Sequence, residues 1–198
     1  LGKHRIVIFK PTSLDLSNLL SNYPDCEAES FSDHYFSGIA GYNRLMMSKE
    51  FYARFIDSEY ILIYQLDAYV FKDELIDWCS KGYDYIGAPW LLRPIYNFPL
   101  LKFTSWTKRK YCQFTSRPCS QMTRFKVGNG GLALRKVSSH LKAVTYLRSI
   151  IKQYLQVRNH LFNEDVFFSI EVNRHGLNFT YPSWQEALQF SFDKYPSL

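Results

Sequence analysis

The chain alternates short apolar runs with longer amphipathic stretches, and that alternation predicts its elements. Arg5–Phe9 (RIVIF) is a β-branched run closed by Pro11, which predicts a buried strand. Between Tyr42 and Ile56 the apolar residues Tyr42, Leu45, Met46, Phe51, Tyr52 and Phe55 form a helical stripe. Tyr60–Leu66 (YILIYQL) is short and almost wholly apolar, the pattern of a strand covered on both faces. Asp73–Cys79 predicts a brief helix capped by Asp73, and Tyr83–Gly87 a short strand stopped at Pro89.

The stretch Leu91–Gln121 contains Pro94, Pro99 and Pro118, scattered aromatics and no sustained period, so it predicts a long loop. Phe125–Leu134 (FKVGNGGLAL) predicts strand, glycine bend, strand. Ser138 is placed to cap a long helix with Leu141, Val144, Leu147, Ile151 and Leu155 on one face. Asn163 is placed to cap the next helix, with Glu164 and Asp165 in its first turn. Strands and helices in alternation predict an α/β fold with a mostly parallel sheet flanked by helices.

Composition narrows the class. The 198 residues fit a single domain spanning 1–198. With 46% hydrophobic and 21% charged residues, a disordered chain is excluded. No apolar run approaches the roughly 20 residues that span a bilayer. The start, LGKHRIVIFKP, has neither a signal-peptide pattern nor an initiator Met, which suggests a piece of a longer chain. Cys26, Cys79, Cys112 and Cys119 form no CxxC pair and no zinc-ligand spacing, so free thiols in a reducing cytoplasm are expected.

Charge changes the picture more. Of the net +6, the segment Leu92–Lys126 alone carries eight cations and no acid, leaving −2 elsewhere. A nucleic-acid binder of uniformly basic character is therefore not expected. The segment 92–126 is a basic, aromatic insert in a near-neutral body, suited to an anionic membrane surface.

Four places offer chemistry. Asp67 follows the apolar run 60–66, and a carboxylate there caps a turn or holds a cation. Gly128, Gly130 and Gly131 around Asn129 form either an ordinary β-bend or one that lets backbone approach a ligand closely, with Asn129 supplying a donor and an acceptor, and they lack the spacing of a phosphate-cradling loop. Asn163-Glu164-Asp165 begins a helix, where acids also sit for dipole reasons alone. Tyr42-Asn43-Arg44 carries a guanidinium able to grip a phosphate, or to pair with Glu50 or Asp57.

Taken in order, GYNRLMMSKEFYARFIDSEYILIYQLDAYVFKDELIDWCSKGYDYIGAPW, VGNGGLALRK, NEDVFFS and EALQFSFDKYP resemble a bacterial family of unknown function. Its members look like GT-A glycosyltransferases of surface-polysaccharide and lipopolysaccharide gene sets. The resemblance implies a GT-A-like (Rossmann-like) fold and transfer of a sugar from a nucleotide-sugar donor to a glycan or lipid-linked acceptor, with a lean to inversion. It implies donor binding by Tyr42, Asn43, Arg44, Gln65, Asp67 and Tyr69, and contacts to donor sugar and acceptor from Trp90, Asn129, Gly130 and Gly131. It makes Asp165 the catalytic base with Glu164 beside it, and Asp67 the ligand of a divalent cation, Mn²⁺ or Mg²⁺. Tyr69 stands where the second Asp of the metal motif is expected, and Gln65 or Glu164 is the compensating candidate. The family's usual first strand is not matched, which predicts an exposed edge covered by a homodimer partner, the termini or the basic loop. A cytoplasmic protein, peripheral at the inner membrane face, is the corresponding location. The alternative is a catalytically silent carbohydrate- or nucleotide-sugar-binding domain on the same fold.

Overall fold

The computed structural model describes residues 3–91, 98–115 and 118–193. The insert residues Leu92, Arg93, Tyr96 and Arg117 therefore lie outside the described residues. The chain forms two compact units, Leu1–Ser48 and Lys49–Leu198.

The first unit is a small βαβ arrangement. Strand β1 (Ile6–Pro11) pairs in parallel with β2 (Cys26–Phe31), Ile6 opposite Cys26, and helix α1 (Ser17–Asn22) lies between them in sequence. Arg5 and Glu27 add an exposed ion pair at 2.7 Å. A 3-10 turn, Asp33–Phe36, leads into α2 (Gly38–Met46). Gly41 is required there: a Cβ would come within 2.6 Å of the Tyr35 carbonyl oxygen. The stripe expected to run unbroken from Tyr42 to Ile56 stops at Met47, and a separate helix begins in the second unit.

The second unit opens with α3 (Lys49–Arg54) and is built on a three-stranded sheet in the order β3-β5-β4. These are β3 (Tyr60–Tyr64), β4 (Tyr85–Gly87) and β5 (Leu132–Lys136). Both pairings are antiparallel, with Leu134 opposite Leu62 and Ile86. The fold is thus mixed α/β, and among the described residues parallel pairing is confined to β1 and β2, against the expected mostly parallel sheet. The reason is geometric: the glycine bend before β5 lies beside the end of β3, where Gln65 N–H donates to the Gly131 carbonyl at 2.8 Å.

β3 is an edge strand with only Ile63 buried, so its apolar run is not covered on both faces as predicted. β5 is the central strand, and Ala133, Leu134 and Arg135 are buried. Helix α4 (Leu75–Ser80) follows β3, with Glu74 rather than Asp73 at its cap position. Trp78 of α4 packs with Ile86 and Leu134 on one side of the sheet.

The predicted long loop is largely helical. α5 (Pro99–Phe114) and α6 (Ser120–Thr123) occupy it. Pro99 starts α5, where its missing N–H costs nothing. The inward face of α5 is Leu101, Ser105 and Cys112 at helical spacing. Only Leu101 and Cys112 on that face are apolar, which is why no period shows in the sequence. Cys112 packs with Cys119, Met122, Val166, Ile170 and the half-buried Trp90.

The long helix after β5 is broken at Leu147 into α7 (Val137–Tyr146) and α8 (Arg148–Gln156), and it begins at Val137 with Ser138 exposed. A 3-10 turn, His160–Phe162, precedes α9 (Glu164–Val166). The helix then widens into a π turn, Phe167–Glu171, closed by Val172 N–H to Phe167 C=O, and ends as α10 (Val172–Arg174). Its five π residues are all buried. α11 (Trp184–Phe190) is capped by Ser183, whose hydroxyl accepts from the Glu186 N–H. Glu186 in turn accepts from Lys81 and Tyr83, each at 2.8 Å, fastening α11 to the segment before β4.

Candidate functional site

Three backbone features of the second unit meet beside the start of β5. The first is the turn that ends β3, closed by Ala68 N–H to Gln65 C=O at 2.9 Å. Gln65 and Asp67 are exposed on it. Asp67 therefore sits in water beyond an edge strand, and the desolvation argument for a carboxylate ending a buried strand does not apply. Among the described residues it has no hydrogen-bond or ion-pair partner.

The second feature is the bend Gly128–Gly131. Asn129 adopts a left-handed conformation with φ 59°, which Asn tolerates better than most residues. The glycines are set by their neighbours. A Cβ on Gly128 would strike the Trp90 ring, one on Gly130 would strike the Glu164 carboxylate, and one on Gly131 would lie 3.0 Å from Gln65 Oε1. Protein groups thus fill the space that the sequence reserved for a ligand. Trp90 is accordingly a packing residue over Gly128 as well as a wall of the Cys112 cluster.

The third is the helix start at α9. Asn163 is at the cap position without a side-chain capping bond. Glu164 is 2% exposed and accepts from Arg135 at 2.8 Å, and Arg135, fully buried, also donates to the Tyr52 hydroxyl at 2.9 Å. Burial pushes the Glu164 carboxyl up to about 7; the Arg135 charge opposes that shift and the Asp165 charge adds to it. Asp165 is half-buried, and its carboxylate accepts from the Val166 N–H at 2.8 Å and from the Asn129 backbone. Burial raises its proton affinity above the usual Asp range, with those backbone bonds and Arg135 pulling the other way.

Gln65, Asn129, Gly130, Gly131, Glu164 and Asp165 are therefore brought together, with Asp67 two residues along the same turn from Gln65. Tyr42, Asn43 and Arg44 belong to α2 of the first unit, where Asn43 is buried and Arg44 exposed. Tyr69 is 74% exposed, edge-on to Phe71, which stacks on Phe192.

Sequence reasoning missed Arg135. It is one of two adjacent cations in β5 (LALRK), and only its central position in the sheet marks it as a buried charge needing a partner. It also missed Phe71 and Phe192, which lie far apart in the chain.

A family model described as a protein of unknown function, DUF5672, matches residues 25–198. The chain belongs to the DUF5672 family. No curated protein and no solved structure matches it. The DUF5672 match takes in β2, α2 and the whole second unit, and so every candidate residue above. Among the described residues no group of three or more His, Cys, Asp or Glu side chains is arranged to hold a metal. Glu164, one compensating ligand considered, is committed to Arg135. Asp67 is then the one carboxylate of the expected motif open to a cation. No helix among the described residues is long and apolar enough to cross a membrane.

Proposed function

We propose that this chain is a saccharide-handling domain of GT-A type that binds a nucleotide-sugar, with binding rather than transfer as its primary assignment. The observation that carries this reading is the convergence of Gln65, Asn129 and Asp165 around a glycine bend that buried contacts hold rigid. A carboxamide offers both donors and acceptors, and a carboxylate accepts from sugar hydroxyls. The exposed rings of Tyr69 and Phe71, just past Asp67, offer flat apolar surface for the C–H face of a sugar. A divalent ion would be held on the protein side by Asp67, with the donor's phosphates supplying further oxygens and the ion neutralising their charge.

Binding is favoured over transfer because the buried acid is spent on structure. Glu164 neutralises Arg135 and presses on Gly130, so it has no access to a ligand. The second reading is the transferase of the surface-polysaccharide class, and Asp165 favours it. A half-buried carboxylate with raised proton affinity is a better base toward an attacking hydroxyl than an ordinary Asp.

One experiment separates them. Nucleotide-sugars are titrated into the chain by calorimetry, and the same mixtures with candidate saccharide and lipid-linked acceptors are read by mass spectrometry. Saturable binding without product supports the binding domain. Product that vanishes in Asp165→Asn while binding persists establishes the transferase. Failure of every nucleotide-sugar to bind overturns both readings.

A further inference from the structure

α5 presents a face to solvent that its own fold does not use. Its inward residues, Leu101, Ser105 and Cys112, lie on one side. On the other, Phe103, Trp106, Lys110 and Phe114 follow at intervals of three and four, with Leu100 and Tyr111 alongside. Leu100, Phe103, Trp106, Tyr111 and Phe114 each expose more than half of their surface, and Phe103 stacks on Trp106 at 6.2 Å. A water-facing side of a helix carries polar residues when water is its permanent neighbour. This one carries aromatics.

The charges fit one kind of neighbour. α5 contains Lys102, Lys108, Arg109 and Lys110 and no acid, and the segment around it, 92–126, has none either. Arg109 also lines a cavity of about 300 Å³ together with Lys126 and Arg174, so positive charge gathers there. Arg174 is already bonded to Glu171 at 2.5 Å, whereas Arg109 and Lys126 have no acidic partner among the described residues. Aromatic rings flanked by long cationic side chains match the boundary of an anionic bilayer. There the rings settle at headgroup depth while Lys and Arg reach lipid phosphates.

We propose that α5 lies in the plane of an anionic phospholipid surface, its Phe103, Trp106 and Phe114 side inserted at headgroup depth. This site is separate from the saccharide site and does not depend on that reading.

The test is co-sedimentation of the whole chain with phosphatidylcholine vesicles, with and without phosphatidylglycerol, at low and high salt. Binding is expected with the anionic vesicles at low salt and is lost at high salt. Replacing Lys102, Arg109 and Lys110 together by Ser should weaken it by about 100-fold. Replacing Phe103, Trp106 and Phe114 together by Ser should weaken it by about tenfold or more. All six side chains are exposed, so the thermal midpoint of each variant should match that of the parent. Brominated lipids should quench tryptophan fluorescence in the parent and much less in Trp106→Phe, which keeps its binding. No binding to anionic vesicles at low salt overturns the proposal. So does binding that survives both triple variants, or quenching unchanged in Trp106→Phe, or a preference for single-stranded RNA over vesicles at equal salt.

Discussion

The Arg135–Glu164 pair can be broken in a way that tests its structural role directly. The two side chains are 0% and 2% exposed and 2.8 Å apart, in the central strand and at a helix start. Two opposite charges about 4 Å apart attract by about 4 kcal/mol at the effective dielectric of such sites. Removing either partner leaves the other buried and uncompensated, at a cost of about 3–5 kcal/mol. Removing both leaves an apolar pair of similar volume, and the double variant should return to within about 2 kcal/mol of the parent. The substitutions are Arg135→Met, Glu164→Leu and their combination. Urea unfolding followed by tryptophan fluorescence at pH 8, above the value of about 7 to which burial pushes Glu164, reads the three stabilities. The coupling energy should be about 3 kcal/mol or more. Single-variant losses that simply add, with coupling under about 0.5 kcal/mol, would refute the argument that each charge is there for the other.

The remaining expectations follow from neighbouring features. Gly130→Ala should cost about 2–3 kcal/mol in the same urea assay, because its Cβ meets a Glu164 carboxylate that Arg135 prevents from moving. Asp67→Ala should leave the melting temperature within error while weakening Mn²⁺-supported nucleotide-sugar binding by about tenfold, read by calorimetry. His140 is wholly buried among Tyr52, Tyr85, Phe168 and Phe179, and burial holds its folded pKa well below 6.5. A depressed His keeps its stabilising effect above the unfolded pKa and loses it as pH falls, because the unfolded chain takes up the proton first. Glu164, with a folded value raised from 4.5 to about 7, has the opposite sign: its stability is greatest below 4.5 and is lost as pH rises toward 7. Between pH 7 and 5 the two should nearly cancel in the parent, whereas His140→Phe should gain stability as the pH is lowered. A His140→Phe variant that loses stability over that range would show the sign to be wrong.

How much was legible depended on whether the signal was local. Ile6–Phe9 and Tyr60–Tyr64 are strands because β-branched and aromatic runs suit an extended backbone, and the structure agrees to within a residue or two. Strand direction was not legible: nothing within YILIY or LALRK says that they run antiparallel, since that is set by Gln65 meeting Gly131, 66 residues apart in the chain. α5 was hidden because its inward positions offer only Leu101 and Cys112 as apolar residues, with Ser105 between them, while its aromatics face outward, inverting the usual pattern. The clustering of Asn129–Gly131 with Glu164–Asp165 was legible only through the family resemblance. The glycines themselves signalled close approach correctly, but the approaching groups are Trp90, Glu164 and Gln65.

The π turn at Phe167–Glu171 sets how the two ends of its helix face each other. A π turn holds one more residue than an α turn, and each residue rotates a helix by about 100°. Rewinding the same residues as regular α-helix would swing Glu164 and Asp165 by that angle against Val172–Arg174, whereas deleting the one extra residue would close the bulge and leave the two ends facing as they do. In the rewound helix Glu164 would leave Arg135, and Asp165 would leave the Asn129 backbone. A one-residue deletion in the turn should therefore improve the local hydrogen-bond ladder while both carboxylates keep their partners. In this segment the count of residues, as much as their identity, carries the orientation of the carboxylates.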